Sequence, residues 1–262
     1  MKNLSKVIFC VNVVLLYAVL FYSSSIMALT YQESFKVEIG GSLDIQTDVG
    51  SIAISTHKQP SIELTIKIES EDADKFTYHT ELSKGNLSIV GKLPSNRHWI
   101  KNLRVQFELT VPENYNIELQ TSGGSLSIED LTGEVNARTS GGSIRVGNIV
   151  GNVKLKTSGG SISTATISGD LNAHTSGGSI QTTINKQLKA DAKFTTSGGS
   201  ITANLIDDIK IDIDAATSGG RVKTDFEIDG KVKKQSISGK INGGGPKLTL
   251  KTSGGSIKIN SI

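Results

Sequence analysis

The sequence predicts an all-β protein: a parallel β-solenoid of narrow coils, 18–21 residues each and right-handed, behind an irregular β-rich N-terminal cap. Three observations predict it. The motif TSGG recurs seven times, at Thr121, Thr139, Thr157, Thr175, Thr196, Thr217 and Thr252, with spacings of 18, 18, 18, 21, 21 and 35 residues. Apolar residues alternate with polar ones on both sides of each doubled glycine, the period of a strand. No stretch after residue 29 keeps a helical period over ten residues; the nearest, ESEDADKFTYHTEL, is weak.

Residues 1–28 read as a secretory signal. Lys2 and Lys6 precede a 16-residue apolar run at 7–22, and Ala28 is a suitable last residue before cleavage. The run is short for a membrane span, which needs about 20 apolar residues, although an uncleaved anchor is the alternative. The single cysteine, Cys10, lies inside the run and lacks the small residues of a lipid-attachment site. The remaining chain has no thiol, which suits an oxidising compartment and excludes disulfides and thiolate metal sites. Of the formal charge of +3, two positives fall in this segment. The rest is near neutral, and nucleic acid is not an expected partner.

Residues 29–116 alternate less regularly. SLDIQTDVGSIAIST, SIELTIKIES, GNLSIVGK and LRVQFELTVP read as strands, and TDVGSI at 47–52 as a worn copy of the repeat. They are expected to be irregular first coils covering the open end of the solenoid; a separate small β-sandwich is the alternative. Trp99, the only tryptophan, stands beside Arg97, His98 and Lys101. It packs under the cap or, if exposed, could stack on a sugar.

Residues 117–262 form the regular part, continuous with the preceding one. Aligned on the Thr, five residues after it stand Leu126, Ile144, Ile162, Ile180, Ile201, Val222 and Ile257, and two before it Leu119, Ala137, Leu155, Ala173, Phe194, Ala215 and Leu250. A third column holds Leu131, Ile149, Ile167, Leu188 and Ile209, while Ser, Lys, Asn, Arg and Asp lie between the columns. One unit cannot bury its apolar face alone, so units stack at about 4.8 Å with like above like. The doubled glycines (Gly123 and Gly124, Gly141 and Gly142, Gly159 and Gly160, Gly177 and Gly178, Gly198 and Gly199, Gly219 and Gly220, Gly254 and Gly255) are structural turns. Glycine there serves positive φ and the close approach of stacked corners. The adjoining Ser and Thr should hydrogen-bond to backbone and to neighbouring layers, with the Thr directed inward or to the corner.

The strings VPENYNIELQTSGGSLSI at 111–128 and GKINGGGPKLTLKTSGGSIKI at 239–259, with the TSGGSI units between them, resemble a bacterial β-strand-repeat family. Its members are provisionally named adhesins, and their biochemical role is largely undefined. The resemblance covers roughly residues 35–262 and is strong from Val111. It implies a parallel β-solenoid exported to the cell envelope, and it offers no catalytic residues to transfer.

Chemistry-bearing motifs are sparse. No helix follows the glycines, as a phosphate-cradling loop needs, and their turns lack the Asp of calcium-binding β-rolls. Ice binding would need a flat, exposed Thr array. His57, His79, His98 and His174 show no ligand spacing, and there is no Gly-x-Ser-x-Gly elbow. Asp207, Asp208, Asp212 and Asp214 are the weak candidates for a hard cation, against a solvated outer face; Glu69, Glu71, Asp72 and Asp74 read as a loop. Lys231, Lys233, Lys234, Lys240, Lys247, Lys251 and Lys258 follow the last acid, Asp229. That basic end could face anionic lipid or simply keep the last coil soluble. The expectation is an exported, non-catalytic, cofactor-free protein, adhesin-like or structural, and periplasmic, cell-envelope or secreted. Its partner would be an envelope protein or glycan. The alternative, a polysaccharide-acting lyase or hydrolase, needs a convergent acid pair or base. Arg138, Arg145, Arg221 and the Asp207–214 cluster are its only candidates.

Overall fold

Period-2 alternation becomes strands throughout. The computed structural model describes residues 27–70, 73–94 and 103–262; Trp99 with its basic neighbours, Cys10, Glu71, Asp72 and the apolar run lie outside them. Two long sheets face one another. The leading sheet has twelve strands and carries those that precede each doubled glycine; the trailing sheet has eleven and carries those that follow. A short third pairing joins Leu131–Thr132 to Ile149–Val150, and the only helical element described is a 3-10 turn at Ala73–Lys75.

Register in the middle of the stack matches the sequence columns. Val135–Thr139 pairs in parallel with Asn116–Thr121 on one side and Val153–Thr157 on the other, Thr over Thr and Ala137 between Leu119 and Leu155. Ile144–Val146 lies likewise between Leu126–Ile128 and Ile162–Thr164. The inward columns form one continuous core from Phe35 to Ile259. Each regular coil contributes about five aliphatic side chains to it, each worth roughly 2 kcal/mol on burial. TDVGSI is a true coil: Thr47 sits on Thr121 and Ile52 on Leu126.

The corner holds a hydrogen-bond relay. Each TSGG threonine is buried. Thr157 Oγ1 donates to the Gly142 carbonyl of the preceding layer at 2.7 Å and accepts the Gly160 N–H of its own layer at 3.3 Å. The same pair of bonds recurs at Thr139, Thr175, Thr196, Thr252 and Thr217. Outside it runs a serine ladder, in which the Ser143 hydroxyl accepts the Ser161 N–H and Ser161 that of Ser179. The hydroxyl column therefore couples layers through backbone groups rather than through hydroxyl-to-hydroxyl contacts; Thr164 to Thr182 at 2.8 Å is an exception on another column.

The expected role of positive φ needs correction. Of the second glycines of the seven motifs only Gly124 has it, at 130°. What the position requires is space. A Cβ on Gly160 would stand 2.1 Å from the Gly142 carbonyl oxygen, and equivalent clashes of 2.0–2.3 Å recur from Gly142 to Gly255. The first glycines are roomier: a Cβ on Gly141 would meet nothing nearer than 4.0 Å.

Stacking is not sequential at the ends, which departs from the expectation of coil upon next coil. Lys247–Thr252 lies between Ala192–Thr196 and Ile211–Thr217, and Ile257–Ser261 between Ile201–Leu205 and Val222–Thr224. The last coil in the chain is thus inserted one layer in. The 35-residue gap holds an antiparallel hairpin, Asp229–Lys233 with Ser236–Ile241, laid on the outer edge of Ile211–Thr217. The other end repeats the device. The coil containing Ser42–Thr47 and Ser51–His57 is covered by Asn86–Lys92 and Arg104–Pro112. Antiparallel strands Ser61–Ser70, Met27–Lys36 and Thr77–Ser83 then close the edges. Strands from before and after residue 116 share each of the two sheets. Tyr115 is buried beneath this end, donates to the Gly85 carbonyl at 2.6 Å, and is pushed up to about 12 by burial. Tyr78 packs edge-on against Tyr31 at 5.3 Å; burial first, then its hydrogen bond to Glu33, raises its pKa.

Two substitutions in adjacent layers separate these contributions. Gly160→Ala should lower unfolding free energy by about 2 kcal/mol or more through overpacking, whereas Gly141→Ala should stay within about 0.5 kcal/mol; urea denaturation of both measures the contrast. Thr157→Val keeps the shape but leaves the Gly142 carbonyl and Gly160 N–H unpaired, costing about 2–3 kcal/mol. Thr157→Ser should recover most of that loss in the same assay.

Candidate binding surface

With the inward positions filled by aliphatics, function has to be sought on the outward ones. In-register pairing turns each outward position into a row across the layers. On the leading sheet one row runs Asp44, Glu118, Asn136, Lys154, Asn172, Lys193, Thr249, Asp214. The next runs through Gln120, Arg138, Lys156, His174, Thr195 and Lys251. The trailing sheet presents Ala53, Ser127, Arg145, Ser163, Gln181 and Thr202.

These rows make shallow grooves rather than a cleft. The leading-sheet groove, about 550 Å³, is floored by Asn136, Lys154, Asn172 and Lys193 and rimmed by Glu134, Asp170 and Asp191. Its rim is tied from layer to layer: Asn152 Oδ1 accepts the Asp170 N–H at 3.1 Å, and Asp191 Oδ1 accepts that of Lys247 at 2.8 Å. A second groove on the trailing sheet, about 650 Å³, includes Ser127, Arg145, Ser163, Thr183 and Asp130. Asn148 donates to Asp130 from both its backbone, at 2.7 Å, and its side-chain amide, at 2.9 Å. These two bonds hold the Asp130 carboxyl below the usual aspartate range.

The sequence-nominated residues are dispersed. Asp207 accepts from the Ser261 hydroxyl, Asp208 is exposed, Asp212 accepts from the Gly245 N–H at 3.4 Å, and Asp214 pairs with Lys251 at 3.3 Å. Among the described residues no three His, Cys, Asp or Glu side chains form a group suited to a metal ion. Arg138 lies on the leading face, Arg145 on the trailing face and Arg221 at a corner, where its N–H bonds Ser256; they do not converge. His57 bonds the Ser61 carbonyl and His174 the Thr195 hydroxyl, while His79 is exposed. Glu69 stands on a strand and Asp74 in the 3-10 turn, both exposed.

The basic end is more mixed than its order in sequence suggests. Lys240 stands between Asp212 and Asp229 in register, and a groove of about 560 Å³ combines Lys240 and Lys247 with Asp212, Asp214 and Asp229. Lys231 and Lys233 are exposed on the outermost strand. The groove floor of alternating Asn and Lys was not singled out by sequence reasoning. Its signal was present in the polar residues between the apolar columns, but only the register makes them one surface.

Residues 104–260 match the model of a family described as Toastrack DUF4097. No match was found among curated proteins. Solved structures similar to the chain include a Clostridium sporogenes protein provisionally named for cell adhesion, 15% identical, covering 89% of this chain and 100% of that one at a TM-score of 0.42. Another is a provisionally named adhesin from Bacteroides fragilis, 14% identical, covering 89% and 97% at 0.38. A third, from Parabacteroides distasonis, is provisionally named lipid-binding and is 15% identical, covering 89% and 96% at 0.32.

The trailing groove supplies a pH test. Asn148→Ala removes one of the two bonds to Asp130, so the carboxyl midpoint should move part of the way back up, as read by NMR titration. In the unaltered protein the depressed carboxyl contributes stability above the unfolded aspartate pKa. That contribution is lost as pH falls through the lower folded value, and the loss should shrink in the variant.

Proposed function

Because this chain belongs to the Toastrack DUF4097 family, whose model spans most of it, we propose that it is an exported, non-catalytic envelope protein that binds a partner along its outer β surface. The observation that carries this reading is the leading-sheet ladder. Its polar side chains repeat once per layer, at about 4.8 Å, over a core that holds them rigid. Such a row suits an extended partner touched weakly at many points, not a small molecule enclosed in a pocket. The open grooves and the scatter of the carboxylates, arginines and histidines support a binding role over hydrolysis or elimination, which need an acid–base pair within reach of one bond.

Export rests on the N-terminal segment. Cleavage after Ala28 would remove Met27 and Ala28 from the end of the edge strand, where they pair with Ser70 and Glu69, and leave the core intact. Mass spectrometry of protein recovered from the envelope or medium should therefore find Leu29 as the first residue; a chain still starting at Met1 would favour the anchored form.

Binding is tested by pull-down from envelope extract. The protein should enrich a defined protein or glycan, and changing Asn136, Lys154, Asn172 and Lys193 together to Ala should weaken capture by roughly tenfold. If nothing is enriched, the adhesive reading fails and a scaffold role is left.

A further inference from the structure

The inserted coil is a separable part. Residues 211–224 follow residues 192–209 directly in the chain, yet the two coils stand two layers apart, and the slot between them is filled by 247–261. The slot is lined on both sides by the same TSGG corner. Thr252 Oγ1 donates to Gly199 O at 2.7 Å and Thr217 Oγ1 to Gly255 O at 2.6 Å. Its occupant must therefore be a coil with that corner in register.

Charge adds direction. The inserted segment carries Lys247, Lys251 and Lys258 and no acid. On one slot wall Asp214 forms an ion pair with Lys251 at 3.3 Å, and on the other Asp191 Oδ1 accepts the Lys247 backbone N–H at 2.8 Å. On its N-terminal side the coil is tethered through residues 242–246, Asn-Gly-Gly-Gly-Pro. Asn242, Gly243 and Gly244 there hold positive φ of 48°, 90° and 87°.

We propose that this C-terminal coil is exchangeable between molecules. Residues 247–261 of one copy enter the 192–209/211–224 slot of a second copy, and two copies close reciprocally into an interlocked dimer. Exchange conserves every contact of the slot, so its cost is the loss of the tether's local concentration and of free translation. The triple-glycine segment absorbs the change of direction. Within one molecule the short tether keeps the effective concentration near the millimolar range, so monomers dominate dilute solution and exchange grows with crowding.

Single-cysteine chains test this. Thr195 and Lys251 are outward register partners across the slot wall. In a full-length Cys10→Ser background, Thr195→Cys and Lys251→Cys chains are mixed, unfolded and refolded together over a range of concentrations, then oxidised. A Ser163→Cys chain with the Lys251→Cys chain serves as the control pair. A covalent heterodimer roughly tenfold above the control is expected at the highest concentration, rising further when residues 243–245 are deleted, because a hinge too short to fold back favours exchange. The double variant, with both thiols in one chain, should close intramolecularly when dilute. A heterodimer no commoner than the control, with or without the deletion, overturns the proposal, and so does failure of the double variant to close.

Discussion

The whole assembly depends on how near one layer can come to the next at the doubled glycine. Parallel strands set a spacing of about 4.8 Å, and the corner must honour it where the chain leaves the sheet. With a side chain at the second glycine the carbonyl below would be displaced, and the strands on both sides would be levered apart. The buried threonine turns that proximity into attraction. Its hydroxyl receives one amide and serves one carbonyl, so two polar groups that would otherwise lie unpaired in the interior are satisfied by one side chain. A corner that is both close and fully bonded permits the same coil to be laid down repeatedly with no loss of register, and register is what aligns the aliphatic columns.

The same uniformity creates the problem of the ends. Every layer offers the edge that the next needs, and an uncovered edge invites another chain. Each end solves this in the same way: the chain's terminal coil is inserted one layer in, the coil next to it in sequence stands outermost, and antiparallel strands lie on that outer coil. At the C-terminal end, Val232 is exposed between Lys231 and Lys233 on the outermost strand. Charges on an edge strand discourage pairing. The trailing sheet there stops at the three residues Val222–Thr224.

The inward half of this molecule was legible because burial imposes a rule at each position. Ile144, Ile162 and Ile180 had to be apolar, and their spacing from the threonine had to be constant, so the sequence columns match the register of the middle coils. The corner's location was legible for the same reason. Its mechanism was only half legible, because a glycine in sequence does not distinguish a torsional need from a steric one, and at Gly160 the need is steric. The insertion of 247–261 was beyond reach. The coils of Thr252 and Thr217 carry the same corner, so the local pattern allows either to follow Gly199, although only Thr252 bonds it. The choice is made by the hairpin 229–241, which occupies the outer edge of Ile211–Thr217 and leaves the last coil only the inner position.

The outward half obeys no comparable rule, and the contrast decides where specificity can reside. Asn136, Lys154, Asn172 and Lys193 occupy equivalent positions, yet stacking does not require them to be alike. Inward substitutions are constrained by the neighbours above and below, whereas outward ones change only the row. A fold of this kind can keep its core columns and corner fixed while the rows are rewritten for different partners. Its function is therefore a property of the row and the register together: the side chains choose the partner, and the glycine–threonine corner sets the interval at which they are offered.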